Sequence, residues 1–358
     1  MDAERPPAEA SHGHRLQRFL NGSASRKEGL IPGTITRSLM PQKILIIRHG
    51  ALGDLFQAFG AFASIRHAFP HDHVTLLTAS PYHDLASCCP WFDAIATDDR
   101  PPFTNLRHWL KIRHILRQMD MVFDLQNSGR TARYFHLVRP GTVWSGQNRR
   151  ASLPHLNPQA RQMHTLVRQA DQLRAAGLPS LPRTVPEFLK NRGPYLPAPY
   201  AVLVPGAAPH RPAKRWPALH FATLAHALDT WGCQPVIIGS TADRPLADII
   251  RSRVPQALDL TGRTDLPALA GLLHRALLCI GNDTGPLHMA ATMDCPTLTL
   301  FSADSDPRRC APLSITPGQS RVLDCPDLST LHPERVLRLL EDWGRPLMQA
   351  RLTLQGHG

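Results

Sequence analysis

Short apolar runs recur along most of this chain, each followed by a polar turn containing glycine and then by a stretch of helical period. Lys43-Ile-Leu-Ile-Ile47 is the first, and an apolar run of that length predicts a buried strand. The loop Arg48-His-Gly-Ala-Leu-Gly-Asp54 follows, and small and apolar residues then predict a helix over 55–69. Runs at 74–78, 94–96, 121–125 and 142–144 predict further strands. Helical patterns lie between them, notably over 106–118 and over 163–176, the second closed by Gly177 as helices commonly are.

The pattern stops at a cluster of prolines (179, 182, 186, 194, 197 and 199) and then restarts. Strands are predicted at 201–204, 235–238, 277–280 and 296–300, and helices over 217–231, 243–253, 265–275 and 333–343. Alternation of this kind predicts an α/β fold with parallel sheets covered on both faces. The expected organisation is a disordered basic tail over 1–40, a Rossmann-like domain over 41–180 and a proline-rich linker over 181–199. A second Rossmann-like domain follows over 200–325, then a C-terminal helix over 326–345 packing back across the domains. Met40 offers a second candidate start. Two such units imply a cleft between them, and ligands of these folds bind at the carboxyl ends of the strands.

Composition narrows the partners. At 358 residues and 42% hydrophobic content the chain can fill two cores. Seven cysteines, odd in number and without a C-x-x-C pair, suggest neither a disulfide framework nor a zinc site, which fits a reducing cytoplasm. No apolar stretch is long enough to span a membrane, and no secretory signal is present. A net charge of +12 favours an anionic partner: nucleic acid, phosphorylated glycolipid, anionic membrane or nucleotide. The lack of an RNP motif or zinc finger weighs against nucleic acid. A merely solvated basic surface is the plain alternative.

Several turns carry candidate chemistry. Gly281-Asn-Asp-Thr-Gly-Pro286 follows a predicted strand and opens a helix, so free N–H groups and the positive dipole end suit a phosphate. Thr284 and His288, four apart, face the same way, although an ordinary strand–helix connection has the same look. Gly50 and Gly53 do not complete G-x-G-x-x-G, which weighs against a nicotinamide enzyme. Asp54, after Gly53 at a helix start, reads either as a dipole-complementing carboxylate or as a general base. Lys214 reads as a surface lysine or as a point charge on a diphosphate. Asp243 suits ribose hydroxyls or, like Thr241, an N-cap. Asn127, Ser128 and Arg130 are acceptor candidates or turn chemistry. His12-Gly-His14 and His71-Asp-His73 lack the convergent ligands of a metal site, so no metal is expected. Neither G-x-S-x-G nor a Walker A loop occurs.

Taken together, these loops resemble glycosyltransferase family 9, the ADP-heptose:lipopolysaccharide heptosyltransferases. The matching pieces are Lys43 to Asp54, Pro205-Gly-Ala through Lys214-Arg-Trp-Pro217, Ile237-Ile-Gly239, Asp259-Leu-Thr-Gly262 and Gly281-Asn-Asp-Thr-Gly-Pro-Leu-His288, in the family's order over roughly residues 41–345. The resemblance implies the GT-B architecture, with the acceptor on the N-terminal domain and the nucleotide-sugar on the C-terminal one. It implies an inverting transfer with Asp54 as base and Lys214, Thr284 and Gly285 on the donor diphosphate. Asp283 and Asp243 would approach the donor sugar and ribose, Thr261 and Gly262 the adenine, with His288 and Gly53 in support. It further implies an ADP-sugar as co-substrate without any cofactor or metal. The acceptor would be a lipopolysaccharide core or lipid A-type glycan, with peripheral contact on the anionic inner membrane from the cytoplasmic side. The departures are a long loop at His210-Arg-Pro-Ala213, Ala208-Pro209 where some members present hydroxyls, and Asp243 in place of a glutamate. Another GT-B transferase, a nucleotide-sugar epimerase and a non-catalytic nucleotide-sugar-binding protein are the rival readings.

Overall fold

The computed structural model describes residues 40–355. The expected tail, Met40 apart, and the His12–His14 motif lie outside the described residues. The chain divides after Arg183 into two compact units.

In the first unit the apolar runs become parallel strands: β1 (Lys43–Ile47), β2 (His73–Thr78), β3 (Ala94–Thr97), β4 (Met121–Asp124), β5 (Val143–Gly146) and β6 (Leu153–Pro154). Their spatial order is β3-β2-β1-β4-β5-β6. Ile44 sits between Val74 and Met121 in register, and Ile44 to Ile47 are completely buried, each worth about 1.5–3 kcal/mol. The helix Leu106–Arg117 lays Ile112 and Leu116 on Leu45, Ile47, Leu77 and Val122. The chain runs outward from β1 to β3 and returns at β4, so the topological switch point lies between β1 and β4.

The second unit repeats the plan with β7 (Tyr200–Val204), β8 (Gln234–Ile237), β9 (Leu258–Asp259), β10 (Leu278–Asn282), β11 (Thr297–Phe301) and β12 (Ser320–Asp324). The parallel order is β12-β11-β10-β7-β8-β9, which puts this switch point between β7 and β10. Phe221, Leu224 and Leu228 of the helix Ala218–Thr230 fill the core with Leu203, Ile237 and Ile280.

Some expectations are corrected. The helix expected over 55–69 is two helices, Leu52–Gln57 and Phe59–Ala68, parted at Ala58. The first starts three residues early because the Asp54 carboxylate accepts the Ala51 N–H and closes its first turn. Strands β6, β9 and β12 carry too few apolar residues to stand out in sequence. Within the proline-rich segment, the helix Glu187–Lys190 buries Leu189 completely. After Pro333–Leu339 the chain continues through a π-turn, Leu340–Gly344, into the helix Arg345–Gln355. Val336, Leu340 and Met348 join the core of the second unit.

Candidate active site

In the second unit the expected donor residues gather at the carboxyl ends of β7, β8, β9 and β10. Asn282, the last residue of β10, is completely buried and organises them. Its Oδ1 accepts the Trp216 N–H at 3.0 Å, while its Nδ2 donates to the carbonyls of Pro205 and Gly206 at 2.9 and 3.3 Å. One side chain thus ties both ends of the 205–216 loop to the switch point. The short 3₁₀ turn Pro212–Lys214 then brings the Lys214 Nζ to 2.5 Å from Asp283 Oδ2. Both side chains are largely buried, at 11% and 7% exposure, and His288 Nε2 lies 4.0 Å from the other Asp283 oxygen.

The helix Gly285–Thr292 starts beside this pair, with Thr284 at its N-cap position and no side-chain cap. The Thr284 hydroxyl instead donates to the Asn282 carbonyl at 3.2 Å. Positive dipole end, ammonium and carboxylate therefore share one corner of the sheet. Cys310 lies close enough to feel both charges, and burial pushes its thiol up to about 12.

Asp243, Thr261 and Gly262 form a second group at the ends of β8 and β9. Asp243 Oδ2 accepts from the Ser240 N–H and hydroxyl at 2.9 and 2.8 Å. The carboxylate also covers Gly206 and Gly239, since a Cβ on Gly206 would stand 2.5 Å from its Oδ1. Thr261 is buried and donates its N–H and hydroxyl to Asp259 Oδ1. Gly262 holds φ +66, donates to the Gly239 carbonyl at 2.8 Å, and would bring a Cβ to 2.4 Å from Thr241 Cγ2.

In the first unit Asp54 lies in the first turn of Leu52–Gln57, with Gly53 buried beside it. Arg48, itself buried, crosses the β1–β4 switch point. Its Nη1 donates to the Leu125 carbonyl at 2.7 Å, and its Nη2 meets Asp54 Oδ1 at 2.9 Å. The Asp54 side chain remains 42% exposed, so a held carboxylate faces solvent.

Sequence reasoning missed Arg48 as a site residue, although a cation six positions before the carboxylate was a signal. It also missed the centre behind the loop, where the buried Asp98 carboxylate meets His49 Nε2 at 2.8 Å, the Tyr134 hydroxyl at 2.6 Å and His108 Nε2 at 3.2 Å. Burial alone would raise Asp98, but the His49 and Tyr134 contacts hold its carboxyl well below the usual range. Asp124, completely buried at the end of β4, is pushed the other way: desolvation raises it to about 6, although it accepts the Gln126 and Asn127 N–H groups.

The three acceptor candidates have internal partners. Asn127, at φ +49, donates to Gln172 Oε1 at 2.8 Å and accepts the Gln147 N–H at 2.9 Å. Ser128 caps the helix Gly129–Tyr134. Arg130 donates to the Pro101 carbonyl and lies 4.5 Å over the Phe103 ring. The Ser128 cap is the local turn chemistry that the sequence offered as the alternative, whereas the partners of Asn127 and Arg130 lie 20 to 45 residues away along the chain. Among the described residues, no group of three or more His, Cys, Asp or Glu side chains is arranged to hold a metal ion.

The family described as glycosyltransferase family 9 (heptosyltransferase) matches residues 109–336. The lipooligosaccharide heptosyltransferase 2 of Haemophilus influenzae is 26% identical over 302 residues, 76% of this chain and 86% of that protein. Escherichia coli ADP-heptose lipopolysaccharide heptosyltransferase II shares the fold with a TM-score of 0.66 at 22% identity, over 88% of this chain and 100% of that one. Escherichia coli heptosyltransferase WaaC, solved with ADP, gives a TM-score of 0.69 at 20% identity, over 84% and 99% of the two chains. Two parallel six-stranded α/β units are thus the shared GT-B fold.

Proposed function

The chain belongs to glycosyltransferase family 9, and from that premise we propose that it moves a heptose from an ADP-heptose donor to a hydroxyl of a lipopolysaccharide-core acceptor. The Asp54 carboxylate takes the proton of that hydroxyl. The acceptor oxygen attacks the anomeric carbon, the carbon–oxygen bond to the β-phosphate breaks, and ADP departs with the electron pair, inverting the centre. A positioned base of this kind contributes about a hundred- to ten-thousandfold.

The donor side rests on Lys214 and Asp283. A lysine ammonium has three N–H donors, and Asp283 takes one at 2.5 Å, which leaves the others for diphosphate oxygens. Lys214 and the N-terminus of Gly285–Thr292 stabilise the charge that develops on leaving ADP, with Thr284 and Gly285 lining that turn. Asp283, held by the lysine, meets sugar hydroxyls. Asp243 takes the ribose side, and Thr261 and Gly262 the adenine. His210 and Arg211, exposed on the long loop, supply the phosphate contacts that Ala208 and Pro209 cannot. A lipid-anchored acceptor puts this chemistry at the cytoplasmic face of the inner membrane.

The observation that carries this reading is the convergence of Lys214 and Asp283, 69 residues apart, beside an uncapped helix N-terminus at a sheet switch point. The deciding experiment incubates the protein with a panel of nucleotide-sugars, with and without core acceptor, and follows nucleotide release and product mass. ADP release from ADP-heptose that requires acceptor is expected. Conversion of free nucleotide-sugar without acceptor, or no use of any ADP-sugar, overturns the proposal.

A further inference from the structure

The helix Leu106–Arg117 anchors itself by Ile112 and Leu116 and turns an unusual face outward. Leu106 and Leu110, one turn apart, are 69% and 56% exposed, and Phe103 just before them is 49% exposed. Arg107, Arg113 and Arg117 are exposed on the same side, and none of the helix's 12 residues is acidic. The guanidinium groups of Arg133 and Arg130 lie 4.1 and 4.5 Å over the Phe103 ring, so cations also flank the aromatic residue. A solvated charged helix needs no outward leucines, and an apolar protein interface disfavours this density of uncompensated cations. Apolar side chains at the centre with long cationic stems around them match the boundary between acyl chains and anionic headgroups.

The position of the face agrees. Asp98, just past β3, joins His108 of this helix at 3.2 Å to His49 at 2.8 Å, and His49 follows Arg48, the partner of Asp54. The N-terminal end of the helix therefore borders the loop that carries the proposed base.

We propose that Phe103, Leu106, Leu110 and the surrounding arginines form a docking surface for an anionic phospholipid bilayer. The surface deepens the reading above, because a lipid-anchored acceptor lies in such a bilayer. Vesicle binding, however, is measured with neither donor nor acceptor, so its failure leaves the transfer chemistry standing and failure of the chemistry leaves the surface standing.

The test floats the full chain with phosphatidylcholine vesicles, with and without phosphatidylglycerol. Binding is expected only with phosphatidylglycerol and is lost in high salt. At about fivefold per charge, Arg107→Gln/Arg113→Gln/Arg117→Gln weakens it about a hundredfold. Leu106→Ser/Leu110→Ser weakens it about tenfold or more at unchanged charge. Melting temperatures within error of the parent's establish that both variants fold. Parent protein that ignores phosphatidylglycerol, or a folded arginine variant that binds as tightly as the parent, overturns the proposal. So does a parent protein that light scattering finds to be a dimer together with a leucine variant that keeps vesicle binding but is a monomer, which would make a second copy the occupant.

Discussion

Arg48 Nη2 holds Asp54 Oδ1 at 2.9 Å while Nη1 of the same guanidinium donates to the Leu125 carbonyl at 2.7 Å. The carboxylate is thus referenced to both strands of the β1–β4 switch point rather than to its own helix alone. Asp54→Asn, which keeps the shape but removes the proton acceptor, is expected to lower kcat about a hundred- to ten-thousandfold with donor affinity unchanged. Arg48→Met should cost about 1–3 kcal/mol by orphaning the Leu125 carbonyl and should lower kcat with less effect on donor KM. Steady-state kinetics with donor titration calorimetry reads both, and full turnover by Asp54→Asn would remove it as the base.

Lys214 and Asp283 form a buried pair, and breaking such a pair by removing one member is expected to cost about 3–5 kcal/mol. Lys214→Met leaves an unpaired carboxylate, whereas Lys214→Met/Asp283→Asn leaves no charge. The double variant should therefore be more stable than Lys214→Met, while each single variant loses about a hundredfold or more in kcat/KM. Urea denaturation of all four proteins completes the cycle. Simple additivity would show that the pair carries no coupling.

The strands were legible because buried parallel strands read as short apolar runs, as 43–47 and 201–204 do. The turn chemistry was legible as far as its residue types. What local pattern could not supply was which turns meet, since sheet order alone joins Lys214 to Asp283 and Arg48 to Leu125. Burial was the other gap. Asn282 looks like an ordinary turn residue in sequence, yet it is wholly enclosed, and Asn127, Ser128 and Arg130 look available although each has a hydrogen-bond partner within the first unit.

Asn282→Ala removes the partner of the Trp216 N–H and of the Pro205 and Gly206 carbonyls at once. Unsatisfied buried groups cost about 1–3 kcal/mol each, and partial relaxation should leave a net loss of about 2–4 kcal/mol. Asn282→Asp keeps the acceptor for Trp216 but sets an oxygen against two carbonyls, so it should rescue little. Thermal melts give the stability change. Donor KM should rise in both variants, because the loop carrying Lys214 has lost its tie. A variant with normal stability and normal KM would show that the loop is held by other means.

Asp124 gives a pH dependence of defined sign. Its carboxyl, ordinarily near 3.8, is pushed up to about 6 by complete burial, against the opposing hydrogen bonds from Asn127 and Gln126. Between those values the folded state binds more protons than the unfolded chain, so stability falls as pH rises from about 4 to 6, by about 3 kcal/mol in all. Asp98 acts oppositely: its lowered carboxyl contributes stability above its ordinary range that is lost as pH falls below about 4, so the two windows separate. Asp124→Asn keeps an Oδ1 for the N–H groups of Gln126 and Asn127 but carries no charge at any pH. The variant should therefore gain on the parent protein steadily from pH 4 to 6 and hold that gain at neutral pH. Urea midpoints of both proteins across this range measure the difference directly. A difference that stays constant with pH would mean that Asp124 ionises as freely in the fold as in the unfolded chain, and the burial argument would fail.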